Sequence, residues 1–402
     1  MEVARAIKSL IDCGKIGRPK RTIRFLWVPE ITGTYFWMHK HLERVKGQLA
    51  VINLDMVGEH PVHCGYPLNL IKVPDSVPNY LNDLVSYLLE YVADHPKGVE
   101  PLEGWKAGIN YRVEKHCGGS DHICFTDSFF GIPAIMFYNP DQFHHTSLDT
   151  LDKVDTSKLQ RVGVVAGAAT LVVANADEQS AVALATLTRG RGYARIGEAA
   201  SEVMEELLYI SVSGSENLSF KLGTAYVRGM RKIEIVAERE SKNVLSVQKL
   251  NTSPAIEILG EGFREFAEGE KARIRVFYKA LCTRLGLEPM EEEHDSEALR
   301  TMKLVPKKEF EGPAPSIPID KLKKEDRDWL AEFGRMHNPH RNYTLVLGGP
   351  TLEFMNFIDG KRSIYEIAML VNAEYGNIEP VEAKRFFDIC NQVGFISYKE
   401  MT

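Results

Sequence analysis

Residues 118–155, GGSDHICFTDSFFGIPAIMFYNPDQFHHTSLDTLDKVD, constrain the fold of this chain more than any other stretch. Within them, residues 132–137 are a short apolar run bounded by Gly131 and turn residues, the pattern of a buried strand. His144, His145 and Asp149 follow directly. A buried strand that delivers imidazole and carboxylate to its C-terminal edge is a usual way for an α/β domain to build a site. On spacing alone, two exposed histidines in a polar loop are the commoner explanation.

A second apolar run, residues 48–57, ends in Asn53-Leu54-Asp55-Met56-Val57-Gly58. A carboxylate at the end of a buried strand is costly unless it is paired or bound to metal. The competing reading is Asp55 as the cap of the next turn. Residues 22–28 read as a third strand, ended by Pro29 and Glu30, with Gly33 before a helical pattern at 34–45. Glu30 fits a catalytic carboxylate and a helix-start charge equally well. Helical spacing marks 2–12, 79–94 and 156–176, the last with Thr156 or Ser157 as N-cap. A further strand is expected at 109–113.

Taken together, NxDMxG at 53–58 and SDHxxF…GIPA…HHTxxDTxDKVD at 120–155 resemble the zinc aminopeptidases of the aminopeptidase S and bacterial leucyl aminopeptidase type. The resemblance covers roughly residues 1–178. It implies hydrolysis of N-terminal residues from a peptide substrate, with one or two zinc ions. It puts Asp55 and His145 on metal ligands and Glu30 on the general base. Asp121, His122 and Asp149 would orient the metal ligands or the substrate. In such chemistry zinc lowers the pKa of bound water from about 16 to roughly 7, and a carboxylate takes its proton.

The chain also departs from that pattern. Where the family reads FVFFGAEEQG, this sequence reads FLWVPEITG, so Ile31 stands in the place of a zinc-binding Glu. The family's HxD and DNxSG ligand motifs precede the helix that starts at Met1, and the chain reads as the rear part of a longer protein. Catalytic zinc generally has three protein ligands, and Asp55 with His145 supplies two. The expectation is therefore an aminopeptidase-like protein that is weak or inactive as this chain. The alternative is a non-catalytic peptide- or protein-binding scaffold.

Composition bounds the rest. A length of 402 residues suits two or three domains, and a net charge of −6 argues against electrostatically driven nucleic-acid binding. The six cysteines are scattered, as for reduced thiols. No secretory signal is visible, and the apolar run within 162–175 reads as too short for a bilayer. A cytoplasmic protein without a membrane partner is expected.

The fold class expected is α/β, a mixed sheet with flanking helices over residues 1–178. A mainly helical region, 179–303, follows and leaves homo-oligomerisation through it open. Prolines at 306, 313, 315 and 318 mark a linker over 304–325. Residues 326–402 resemble a winged helix of the PqqD-like sort, most specifically in IDGKRSIYEIA. From Arg341 to Thr402, six Lys/Arg stand against eight Asp/Glu, a net of −2. A DNA reader usually has a basic face, so protein or peptide contact is expected there. Tight, salt-sensitive binding of duplex DNA would contradict that.

Overall fold

The computed structural model describes residues 1–94, 109–214, 216–291, 295–337 and 348–400. They fall into two units, 1–187 with 247–253, and 188–246 with 254–402.

The first unit is built on a four-stranded mixed sheet. Its strands are β1 (Val51–Asp55), β2 (Leu68–Ile71), β3 (Tyr111–Glu114) and β4 (Ala134–Tyr138), in the order β1-β4-β2-β3. The apolar run at 132–137 supplies most of β4, whose first four residues are buried. β1 runs parallel to β4, with Val51 opposite Ala134 and Asp55 opposite Tyr138. β2 is antiparallel to β4 and parallel to β3. Because β1 and β4 point the same way, residues 56–60 and 139–149 leave from one edge of the sheet.

The helices of this unit are α1 (Glu2–Asp12), α2 (Thr32–Lys40), α3 (Leu42–Lys46), α4 (Pro61–Cys64), α5 (Leu81–Asp94), α6 (His122–Thr126) and α7 (Thr156–Asn175), with α5 and α6 against the sheet. α7 packs against α1 and α5. By length and composition α7 is apolar enough to cross a membrane, contrary to the expectation for that run. Here it buries Val162, Val165 and Ala169 in the unit's core. Its N-cap is Asp155, whose carboxylate accepts from the backbone of Ser157 and Lys158. The cap thus sits one residue before Thr156 and two before Ser157, the two positions expected.

Residues 22–28, expected as a strand, form none, and among the described residues their backbone groups make no hydrogen bonds. Leu26 packs onto the core cluster around Met38 and Phe125, while Phe25 and Trp27 stack on each other, with Trp27 66% exposed. Apolar and β-branched composition suits a pleated surface but does not supply a pairing partner. The helix expected at 34–45 is interrupted at His41, whose backbone leaves the helical region (φ −129°, ψ 39°).

The second unit is mainly helical. α8 (Glu178–Val212) begins in the first unit and continues into it. α9 (Leu218–Leu245), α10 (Pro254–Gly260), α11 (Phe263–Leu285) and α12 (Ser296–Thr301) follow. Then come β5 (Leu304–Lys308), α13 (Lys324–His337), α14 (Pro350–Asn356), α15 (Ile364–Tyr375), α16 (Pro380–Gln392) and β6 (Ile396–Glu400). The start of the expected linker is β5, which pairs antiparallel with β6 and sets Pro306 opposite Tyr398. In a two-stranded sheet both strands are edges, where proline is tolerated. The expected turn at Asp359-Gly360 is present, with the Asp359 carboxylate accepting from Lys361 and Arg362 backbone N–H groups. Ser363 and Glu366 then form a capping box that starts α15. These C-terminal helices share one apolar core with Ile235 of α9 and Ala298 of α12. Arg228 of α9 bridges Asp295 and Glu379. Leu330 and Phe333 of α13 belong to the same core.

Candidate active site

The shared edge of β1 and β4 gathers most of the residues singled out above. Asn53 and Asp55 are two apart on β1 and so face the same side. The Asn53 amide donates to Ser120 Oγ at 2.8 Å. Ser120, buried just before α6, in turn hydrogen-bonds Asp55. Burial pushes the Asp55 carboxyl above the ordinary carboxylate range. The nearby charges of Glu30 and Asp121 push the same way, while the Ser120 hydrogen bond and His144 oppose them. Glu30, Asp121 and His144 therefore lie within electrostatic reach of Asp55.

The Ser-Asp-His tripeptide acts as three braces. Ser120 holds Asp55. Asp121 Oδ1 accepts from the Ile31 backbone N–H at 2.6 Å, which fixes the turn that carries Glu30. His122 is fully buried, and its Nε2 bonds the Cys117 carbonyl at 2.7 Å. His122 thus holds the turn into α6 and does not face solvent.

Backbone strain is concentrated here. Among the described residues, the non-glycine residues with positive φ are Ile31 (58°), Met56 (53°), His145 (62°), Asn217 and Asn377. The first two immediately follow Glu30 and Asp55. Such conformations cost about 1–3 kcal/mol each and gather at functional sites. For a β-branched residue such as Ile31 they are sterically exceptional.

His144, half-buried, is the histidine whose charge acts on Asp55. His145 is exposed and joins the group through its ring, stacked on His144 with centroids 3.5 Å apart. Asp141 Oδ1 accepts from the backbone of both Phe143 and His144 at 2.6 Å and so shapes this loop. Asp149 lies farther along, exposed, and its side chain makes no hydrogen bond or ion pair among the described residues. Residues 58–60 pair with 153–155: Asp155 N donates to Gly58 O and His60 N to Lys153 O, both at 2.6 Å. A Cβ at Gly58 would come within 2.9 Å of Leu159 Cδ2 on α7, so that side chain would have to shift.

Residues 1–170 match the family model for Peptidase family M28. This supports a zinc-type peptidase family for the first unit. No curated protein and no solved structure matches the chain.

Zinc is typical of M28 peptidases, so the donor set can be tested against it. Among the described residues, no group of three or more His, Cys, Asp or Glu side chains is placed to hold a metal ion. Asp121 is engaged by Ile31, and Ile31 itself offers no donor atom. The residues present do not fit a complete catalytic zinc site, which takes three protein ligands.

Sequence reasoning passed over His144, Asn53 and Ser120 as individual contributors. The period-two spacing of Asn53 and Asp55 was the available signal for Asn53. It also passed over half-buried Glu59 and buried Lys158 behind the site. Burial pushes the Glu59 carboxyl up to about 7 against the attraction of Lys158. Its raised folded value means the protonated form favours folding. That contribution is full below pH about 4.5 and is lost as pH rises through about 7. Glu59→Gln is therefore expected to raise the melting temperature at pH 8 and to leave it unchanged at pH 4. A calorimetric scan at the two pH values checks this, and equal shifts at both would count against it.

Proposed function

We propose that the first unit is an aminopeptidase-like domain of the aminopeptidase S and bacterial leucyl aminopeptidase type. It recognises peptides by their free N-termini and, as this chain, turns them over slowly or not at all. The observation that carries this reading is that Asp55, at the end of β1, lies within electrostatic reach of Glu30, Asp121 and His144. A peptide N-terminus is an ammonium group, and a carboxylate cluster is its natural counterpart. Glu30, exposed at its turn, is the group able to accept a proton from a reacting water. The short donor set supports slow turnover, and it equally favours a second reading, a peptide-binding module without catalysis.

The test is the purified chain with aminoacyl-nitroanilides and added zinc, together with calorimetric titration by a tripeptide and its N-acetylated form. Little or no turnover is expected, with binding of the free tripeptide alone and its loss in Asp55→Asn. Robust turnover that disappears in Glu30→Gln would show a complete catalytic site within this chain. Equal binding of the acetylated peptide would remove N-terminal recognition.

A further inference from the structure

Lys158 lies in the first turn of α7 and is only 8% exposed. A buried ammonium is costly unless its protons are taken up. Lys158 Nζ donates to the Glu59 carbonyl at 2.5 Å and to Asn139 Oδ1 at 2.7 Å. These two oxygens belong to the two segments that leave the sheet edge, one after β1 and one after β4. Asn139 is fully buried and extends the link, since its backbone N donates to the Met56 carbonyl at 2.9 Å. Met56, at φ 53°, directly follows Asp55, and His144 lies five residues beyond Asn139. The acceptors of the ammonium are a carbonyl and an amide oxygen, directional groups whose positions matter more than their charge.

We propose that Lys158 is a positioning residue that locks the segments after β1 and β4 to each other and to α7, and so sets where Asp55 stands relative to His144. The importance of that spacing rests on the aminopeptidase-like reading; the lock itself does not. Removing the ammonium would leave the Glu59 carbonyl and the Asn139 amide without their donor and free the two segments together.

The experiment is hydrogen exchange read by mass spectrometry on the full chain, comparing wild type, Lys158→Met, Lys158→Arg and Asn139→Ala. In Lys158→Met, amides of 56–60 and 139–146 should exchange about ten-fold faster or more, with α5 unchanged. Lys158→Arg, which keeps a cationic donor, should recover part of the protection in both segments. If Lys158→Met unfolds the first unit, Asn139→Ala gives the same reading, because it removes one arm of the lock. Acceleration of one segment alone, or of neither, overturns the proposal, as does an Arg variant no better than Met. Titration with the free tripeptide separates the two ideas. Paired acceleration with unchanged peptide binding would uphold the lock and count against the functional reading of the site.

Discussion

Glu240→Ala is expected to destabilise the second unit by about 3–5 kcal/mol, the usual cost of breaking a buried ion pair from one side. Glu240, on α9, is fully buried. Arg195 of α8 donates to its Oε1 from Nε at 2.9 Å and to Oε2 from Nη2. Arg239 adds a bond to Oε1 at 2.8 Å, and the Asn243 amide reaches Oε2 at 3.3 Å. Burial alone would push this carboxyl up, but Arg239 and Arg195 outweigh it and hold the carboxyl at about 2. α8 approaches this closely because it carries Gly192 at the contact. A Cβ there would stand 3.1 Å from Glu240 Cβ and 2.9 Å from a ring carbon of Phe263. With alanine at 240, Arg195 and Arg239 lose their bonds to this carboxylate in a poorly hydrated place. Glu240→Gln keeps the acceptor oxygen and should cost less. Urea unfolding at pH 7 followed by helical signal gives the values. A loss below about 1 kcal/mol in the alanine variant would mean that water reaches and solvates the arginines.

The strands that carry the candidate site were legible because each is an apolar run ended by turn residues. β4 is central and buried on both faces, so its composition alone identified it. β2 was not legible. It is four residues long, lies between Pro67 and Pro74, and contains Asn69, which interrupts the apolar run. Residues 22–28 illustrate the opposite failure, in which strand-like composition lacks a paired neighbour. In the second unit, proline density suggested a linker, yet Pro306 occupies a ladder whose outer side is open. Local composition reports a preference, and strand pairing is decided by partners distant in sequence.

At the candidate site, the motifs named residues that the fold brings near one end of β1 and β4, but not the contacts each of them makes. Asp121 and His122 were expected to orient metal ligands or substrate, and the structure gives each a backbone partner, Ile31 N and Cys117 O. No spacing rule foretells those partners, since Ile31 is 90 residues from Asp121. His144 and His145 are adjacent, and sequence favoured the second through resemblance. Which ring acts on Asp55 depends on backbone geometry, and His145 has the left-handed φ of 62°. Lys158 carried no signal, because a lysine in the first turn of a helix is ordinarily solvated.

Acidification from pH 6.5 towards 4 is expected to unfold the first unit while the second keeps its helices. His116 and His122 are both buried, with ring centroids 5.2 Å apart. His116 Nδ1 bonds the Lys72 carbonyl at 3.0 Å and His122 Nε2 bonds the Cys117 carbonyl. A nitrogen facing a carbonyl must carry the proton, so each ring sits as one neutral tautomer. A second proton on His122 would go to Nδ1, a buried atom without a hydrogen-bond partner. Burial first, and for His116 also the charge of His122, pushes the two values down to about 3 and about 4. In the unfolded chain both titrate near 6.5. Below pH 6.5 the unfolded state therefore binds more protons, and stability falls with pH until the folded values are reached. His122 alone is worth about 3 kcal/mol on this reckoning, against a typical total of roughly 5–15 kcal/mol. Glu59 works the other way between pH about 7 and 4.5, and its partial exposure makes its offset the smaller. In the second unit, Glu240 remains ionised until pH approaches about 2, so its contribution begins to fall only below about 4.5. Hydrogen exchange along a pH series would resolve the two units, with His122→Gln as the variant. That glutamine can still donate to the Cys117 carbonyl but cannot take up a proton, so the acid transition of the first unit should move to lower pH. A single transition shared by both units, or a first-unit midpoint unmoved by His122→Gln, would show that the buried histidines do not govern acid stability.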